Sequence, residues 1–89
     1  MRYPDHYRVF SCVHVVENHV EPQLITCEED TSVCILCGST GHSETDYKAV
    51  GYGHIAAAHP DVDELPRLQP GRAYEKVAGT WTERDLADV

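Results

Sequence analysis

Gln23-Leu24-Ile25-Thr26-Cys27-Glu28-Glu29-Asp30-Thr31-Ser32-Val33-Cys34-Ile35-Leu36-Cys37 is the stretch on which the fold turns. Two short apolar, β-branched runs flank the polar Glu29-Asp30-Thr31, the pattern of a β-hairpin with strands over Gln23–Glu28 and Ser32–Cys37. A turn centred on Asp30-Thr31 sets Cys27 opposite Cys34 and Ile25 opposite Leu36. Side chains alternate along a strand, so Cys34 and Leu36 share one face while Val33, Ile35 and Cys37 share the other.

Working outward, Val9–Val16 is again apolar and β-branched and predicts a strand before the hairpin. Beyond it, Gly38–Thr45 has the composition of a loop. Asp46–His59 places Tyr47, Val50, His54, Ile55 and Ala58 at helical spacing, which predicts a helix stopped by Pro60. Gly51 and Gly53 weaken that helix and point to close packing or an irregular first turn. Asp61–Leu65 predicts a short further turn, Pro70-Gly71 a tight turn, Arg72–Ala78 a last strand, and Trp81 a core or edge anchor. The expected architecture is a single α+β domain over residues 1–89. Its small antiparallel sheet of three to four strands packs against one main helix.

The chain has 89 residues, a formal net charge of −8, and only two lysines, Lys48 and Lys76. Affinity for nucleic acid rests on clustered basic side chains, so this balance excludes the usual nucleic-acid binder and favours a basic protein as partner. No apolar run is long enough for a membrane span, and the first eight residues lack the apolar core of an export signal. A cytoplasmic protein is expected, in which Cys12, Cys27, Cys34 and Cys37 stay reduced.

Reduced cysteines beside histidines are metal-ligand types. Cys34-x2-Cys37-x4-His42 matches the first three ligands of a retroviral-type zinc knuckle, but Tyr47 occupies the place of the fourth, and the flanks are acidic. A better candidate set is Cys12, His14, Cys37 and His54, the ligand-type residues inside Cys12-Val-His14-Val, Leu36-Cys37-Gly38 and Gly51-Tyr-Gly53-His54-Ile55, motifs shared with a group of small bacterial proteins that the chain resembles. Cys12 and His14 lie two apart on one predicted strand, Cys37 ends another, and His54 sits on the inner face of the predicted helix. Two thiolates and two imidazoles suit zinc and would staple a small core. Cys27, Cys34 and His42 stand in reserve. The bland alternative is that the cysteines pack as small apolar side chains and the histidines make local hydrogen bonds.

Cys12-Val-His14-Val, Leu36-Cys37-Gly38, Gly51-Tyr-Gly53-His54-Ile55, Pro70-Gly71 and Trp81 recur together, in this order, in a group of small bacterial proteins that the chain resembles from about Ser11 to Trp81. The sequence departs from that group in the hairpin, where other members carry a histidine near Cys27 and a tryptophan-glutamine pair near Val33-Cys34. The resemblance implies a compact cytoplasmic domain and no particular activity.

A cysteine nucleophile with His54 as base lacks an oxyanion loop and a substrate cleft, so no catalytic residues are expected. Acidic side chains crowd two places: Glu28, Glu29 and Asp30 at the hairpin tip, and Asp61, Asp63 and Glu64 after the helix. Such patches steer association with basic partners, and the chain is similar in size and charge to small bacterial immunity proteins, which mask a toxin's basic surface. Charge for solubility alone is the competing explanation. The expected function is a non-enzymatic protein binder of immunity or inhibitor type. The alternative is a structural zinc domain in a regulatory or nucleic-acid setting.

Overall fold

A computed structural model describes residues 3–17, 20–38 and 46–89. Its elements are β1 (Arg8–Cys12), α1 (Val13–Val16), β2 (Leu24–Cys27), β3 (Val33–Leu36), β4 (Tyr47–Gly51), α2 (Tyr52–Ala58), a 3-10 turn (Pro60–Glu64), β5 (Arg72–Val77), β6 (Thr80–Asp85) and a terminal 3-10 turn (Leu86–Asp88). The strands form one six-stranded mixed sheet in the order β4-β1-β3-β2-β5-β6. Only β1 and β3 run parallel; the other four pairings are antiparallel. This corrects the expected architecture, since the protein is mostly sheet and α2 is only seven residues long.

The central hairpin forms where the alternation placed it, with its register moved by one residue. Cys27 pairs with Val33, Thr26 with Cys34, and Ile25 with Ile35. The cause is the loop, where Glu28 N–H donates to the Ser32 carbonyl and Thr31 N–H to the Glu28 carbonyl, at 2.8 and 2.9 Å. Three residues, Glu29 to Thr31, cross the turn between Glu28 and Ser32, the last of them left-handed at φ +73°. An odd loop shifts every pair by one relative to an even one. Val33, Ile35 and Cys37 keep the buried face, and Cys34 and Leu36 the half-buried one.

Three further departures share one cause, the supply of hydrogen-bonding edges. The predicted strand Val9–Val16 ends at Cys12, because β4 begins opposite it at Tyr47 and β3 stops at Leu36. Among the described residues no strand pairs with the chain beyond Cys12, and the backbone there takes a helical turn, in which Glu17 N–H donates to the Val13 carbonyl at 2.8 Å. Within the predicted helix, residues 47–51 instead take the free edge of β1. The chain turns helical only at Tyr52, whose N–H donates to the Tyr7 carbonyl at 2.7 Å. Gly51 and Gly53 permit this: a Cβ there would lie 2.7 Å from the Asp5 carbonyl oxygen and 2.8 Å from the Asp5 side chain. The last departure is β6, which pairs with β5 through Ala78 and Gly79, both at positive φ. Such a turn is usually announced by Asn-Gly, and Ala-Gly hides it. Pro70-Gly71 is the expected tight turn, with Gly71 at φ +83° and Arg72 N–H donating to the Gln69 carbonyl at 3.1 Å.

One sheet face carries the core. Val9, Ile25, Val33, Ile35 and Tyr74 pack with Val15, Tyr52, Ile55, Val62 and Leu68 from the segments that cross over them. Ser11 is fully buried among them, its Oγ donating to the Ile35 carbonyl at 2.6 Å, a bond that joins the two parallel strands. Trp81 is an edge anchor: its Nε1–H donates to Asp61 at 3.2 Å from the outermost strand.

Candidate metal centre

β1 and β3 end side by side. Phe10 pairs with Cys34 and Ser11 with Ile35, so the next residues along, Cys12 and Cys37, emerge at the same end of this parallel pair. Cys12 is both the last residue of β1 and the N-cap of α1, and the helical turn then swings His14 back towards Cys37. The Cys37 thiol and His14 Nδ1 lie 3.8 Å apart. All three ligand atoms of Cys12, His14 and Cys37 fall within 4.8 Å of one another. Both cysteines are buried, and His14 is half-buried. The group therefore has a dry side formed by the sheet and a side nearer solvent formed by the imidazole. These three residues lie close enough to hold a metal ion.

The pairing in the sequence that suggested Cys12 and His14 was a same-face argument along one strand. Their proximity has another origin, because His14 lies in a helical turn rather than on the strand. His54 does not join the group. The helix begins six residues later than Asp46, which rotates the buried stripe to Tyr52 and Ile55 and leaves His54 exposed. Cys34 and Cys37, three apart on an extended chain, face opposite sides of the sheet, so the knuckle pair cannot close on one ion. His42 lies outside the described residues.

Cys27, buried, and Cys34, half-buried, lie outside this group. Burial pushes both thiols up in pKa, and the neighbouring charges of Glu28, Asp30 and, for Cys27, Glu29 push in the same direction. For Cys34 a hydrogen bond with Thr26 works against these effects without reversing them. A raised thiol pKa reduces the thiolate fraction on offer to an electrophile or a metal.

The two acidic clusters differ from each other. Glu28, Glu29 and Asp30 are exposed at the turn, although Asp30 also accepts the Ser32 N–H at 3.0 Å and so shapes the loop. Asp61 and Asp63 are committed to the fold. Asp61 accepts from Trp81 and from Lys76 at 3.3 Å, and Asp63 accepts the Tyr52 hydroxyl at 2.6 Å. Burial pushes the Asp61 carboxyl up, but the hydrogen bonds from Trp81 and Lys76 outweigh it and hold the group below the usual carboxylate range. Glu64 stays exposed at the rim of a cleft of about 650 Å³ that also includes Asp61, Lys76 and Trp81. Among the described residues, no helix is long and apolar enough to cross a membrane. The chain matches no family model, no curated protein and no solved structure.

Proposed function

We propose that the protein is a small zinc-binding domain in which Cys12, His14 and Cys37 hold one ion and pin the end of β1 to the end of β3. The observation that carries this reading is the convergence of three ligand atoms within 4.8 Å at the end of the parallel pair. Zinc–sulfur and zinc–nitrogen bonds of about 2.3 and 2.0 Å in a tetrahedron put a sulfur and a nitrogen roughly 3.5 Å apart and two sulfurs roughly 3.8 Å apart. The Cys37 Sγ–His14 Nδ1 separation of 3.8 Å lies close to that sulfur–nitrogen spacing. Two thiolates and an imidazole are soft and borderline donors, the set that suits zinc over calcium or magnesium.

In this reading the ion pins two central strands, and its three protein ligands leave one tetrahedral position for water. An 89-residue chain buries a modest core, and an ion linking two central strands supplies stability that this core lacks. Elemental analysis of untagged protein tests the reading. One equivalent of zinc, lost in a Cys37→Ser variant, supports it, whereas metal-free protein refutes it.

A second reading concerns partners, and the exposed hairpin tip favours it. Glu28, Glu29 and Asp30 present three carboxylates on one turn of a chain with net charge −8. A basic protein bound there, of the kind an immunity or inhibitor protein masks, is compatible with a zinc-stapled scaffold in the cytoplasm. Asp61 and Asp63 are not offered as contacts, being engaged within the fold. Charge reversal at Glu28 and Glu29 tests this reading through affinity for a basic partner: unchanged affinity removes the tip from the interface.

A further inference from the structure

We infer that Cys12 and Cys37 are a reversible dithiol, which a peroxide oxidises to one intramolecular disulfide in competition with the metal. The competition rests on the zinc reading above; the disulfide rests on geometry alone. Four cysteines outside any disulfide offer six pairings, and the sheet eliminates five of them. Cys27 and Cys34 belong to neighbouring strands, but Cys27 pairs with Val33 on the buried face while Cys34 lies on the opposite face. Cys34 and Cys37 point to opposite sides of one strand. Cys12 lies two residues beyond the partner of Cys34, which puts their Cα atoms roughly 8 Å apart, beyond the reach of a disulfide. Cys27 sits on β2, with β3 lying between it and β1, and at the far end of β3 from Cys37.

Cys12 and Cys37 lie beyond the last paired residues of the β1–β3 ladder, where strand alternation no longer fixes the face. Their strands are adjacent and parallel, and extending the register of Ser11 with Ile35 sets the two residues one position out of step. A strand spacing of about 4.8 Å and a rise of about 3.3 Å then give a Cα separation of roughly 6 Å, inside the range of disulfides. Their sulfurs lie within 4.8 Å of each other. Rotation about the side-chain bonds closes the remaining gap to a bond of about 2.05 Å.

The reaction balances with hydrogen peroxide as the two-electron oxidant. One thiolate attacks a peroxide oxygen, giving a sulfenic acid and releasing water or hydroxide. The second thiol then displaces the sulfenic oxygen as a second water, so two thiols and one peroxide give one disulfide and two waters. With zinc bound, the same two electrons leave the sulfurs, two protons are taken up by the departing oxygens, and the ion is released. A disulfide has no thiolate to offer a metal, so oxidation and metal binding exclude each other.

The test uses the full chain in metal-free and zinc-loaded forms, treated with hydrogen peroxide, followed by alkylation and peptide mapping. In the metal-free protein the alkylatable thiols are expected to fall from four to two, with a single linked peptide pair joining Cys12 to Cys37. The zinc-loaded protein should keep its thiols at the same dose, and reduction should restore zinc uptake to the oxidised sample. A link that uses Cys27 or Cys34, a link between chains, or four thiols that stay alkylatable overturns the inference. A Cys12–Cys37 link in protein that takes up no zinc supports the disulfide and overturns the zinc reading. Zinc uptake with no such link overturns the inference and leaves the zinc reading standing.

Discussion

The four cysteines divide into two pairs with opposite fates. Cys27 and Cys34 sit on adjacent strands of one hairpin, one register step apart, and point to opposite faces of the sheet. Cys12 and Cys37 are 25 residues apart in sequence, yet their sulfurs converge with His14. Strand interiors separate side chains rigidly, through a period of two and a fixed spacing between neighbours. Strand ends release that constraint, because the backbone is free to turn. The helical turn at Val13–Val16 uses that freedom to bring an imidazole beside two thiols. The convergence of ligand-type side chains is therefore a property of where strands stop rather than of which residues the strands contain.

The strongest way to break the comparison is to remove the floor under both pairs. Ile35 is fully buried, lies between Val33 and Cys37 on the core face, and pairs with Ile25. Ile35→Ala should cost about 2–5 kcal/mol, read from denaturant unfolding, and should loosen the metal centre because the backbone at Cys37 is no longer held. A loss well under 1 kcal/mol would mean that the sheet is not the platform for the site.

Removing the ion is the next largest perturbation. A structural zinc worth as little as about 2 kcal/mol at this chain length moves the melting temperature by roughly 8–16 °C, so chelation should lower it by at least that order. Melting curves with and without chelator supply the check, and superimposable curves would contradict a structural role.

A third test sharpens the contrast through pH. Burial first, and acidic neighbours second, raise the Cys27 and Cys34 pKa values in the folded state. A thiol whose folded pKa lies above its unfolded value stabilises the fold fully below the unfolded value, near pH 8.5, and that contribution is lost as pH rises through the folded value. Thermal melts at increasing pH should therefore decline on the alkaline side. A Cys34→Ala variant should decline less steeply, and an identical slope would show that Cys34 does not contribute.

The smallest effect is expected at the hairpin tip. Glu28 and Glu29 are exposed, so Glu28→Lys with Glu29→Lys should change stability by no more than about 0.5 kcal/mol while leaving zinc content untouched. Any loss of zinc in that variant would tie the tip to the metal centre, which the sheet keeps apart.

Much of the central sheet was legible because its signals are local. Alternation of apolar residues fixed the faces of β3, and Pro70-Gly71 marked its turn. What was not legible depends on distant partners. A free edge on β1 makes Tyr47–Gly51 a strand despite its helical spacing, and the same edge geometry ends β1 at Cys12 in the middle of a valine-rich run. The register slipped by one residue because Thr31, a β-branched side chain, accepts a left-handed conformation that its type disfavours. The candidate site shows the same division. Cys12, His14 and Cys37 stand out as ligand types inside the motifs of the resemblance and do converge, but His54 rests on a helix phase that the late start of α2 overturns.

The most direct test of the central claim is the zinc content of the purified chain beside its Cys37→Ser and Cys34→Ser variants, measured by elemental analysis on the same day and in the same buffer. The account predicts one equivalent in the parent and in Cys34→Ser, and none in Cys37→Ser. A metal-free parent, or a Cys34→Ser variant that loses the ion while Cys37→Ser keeps it, would contradict the account.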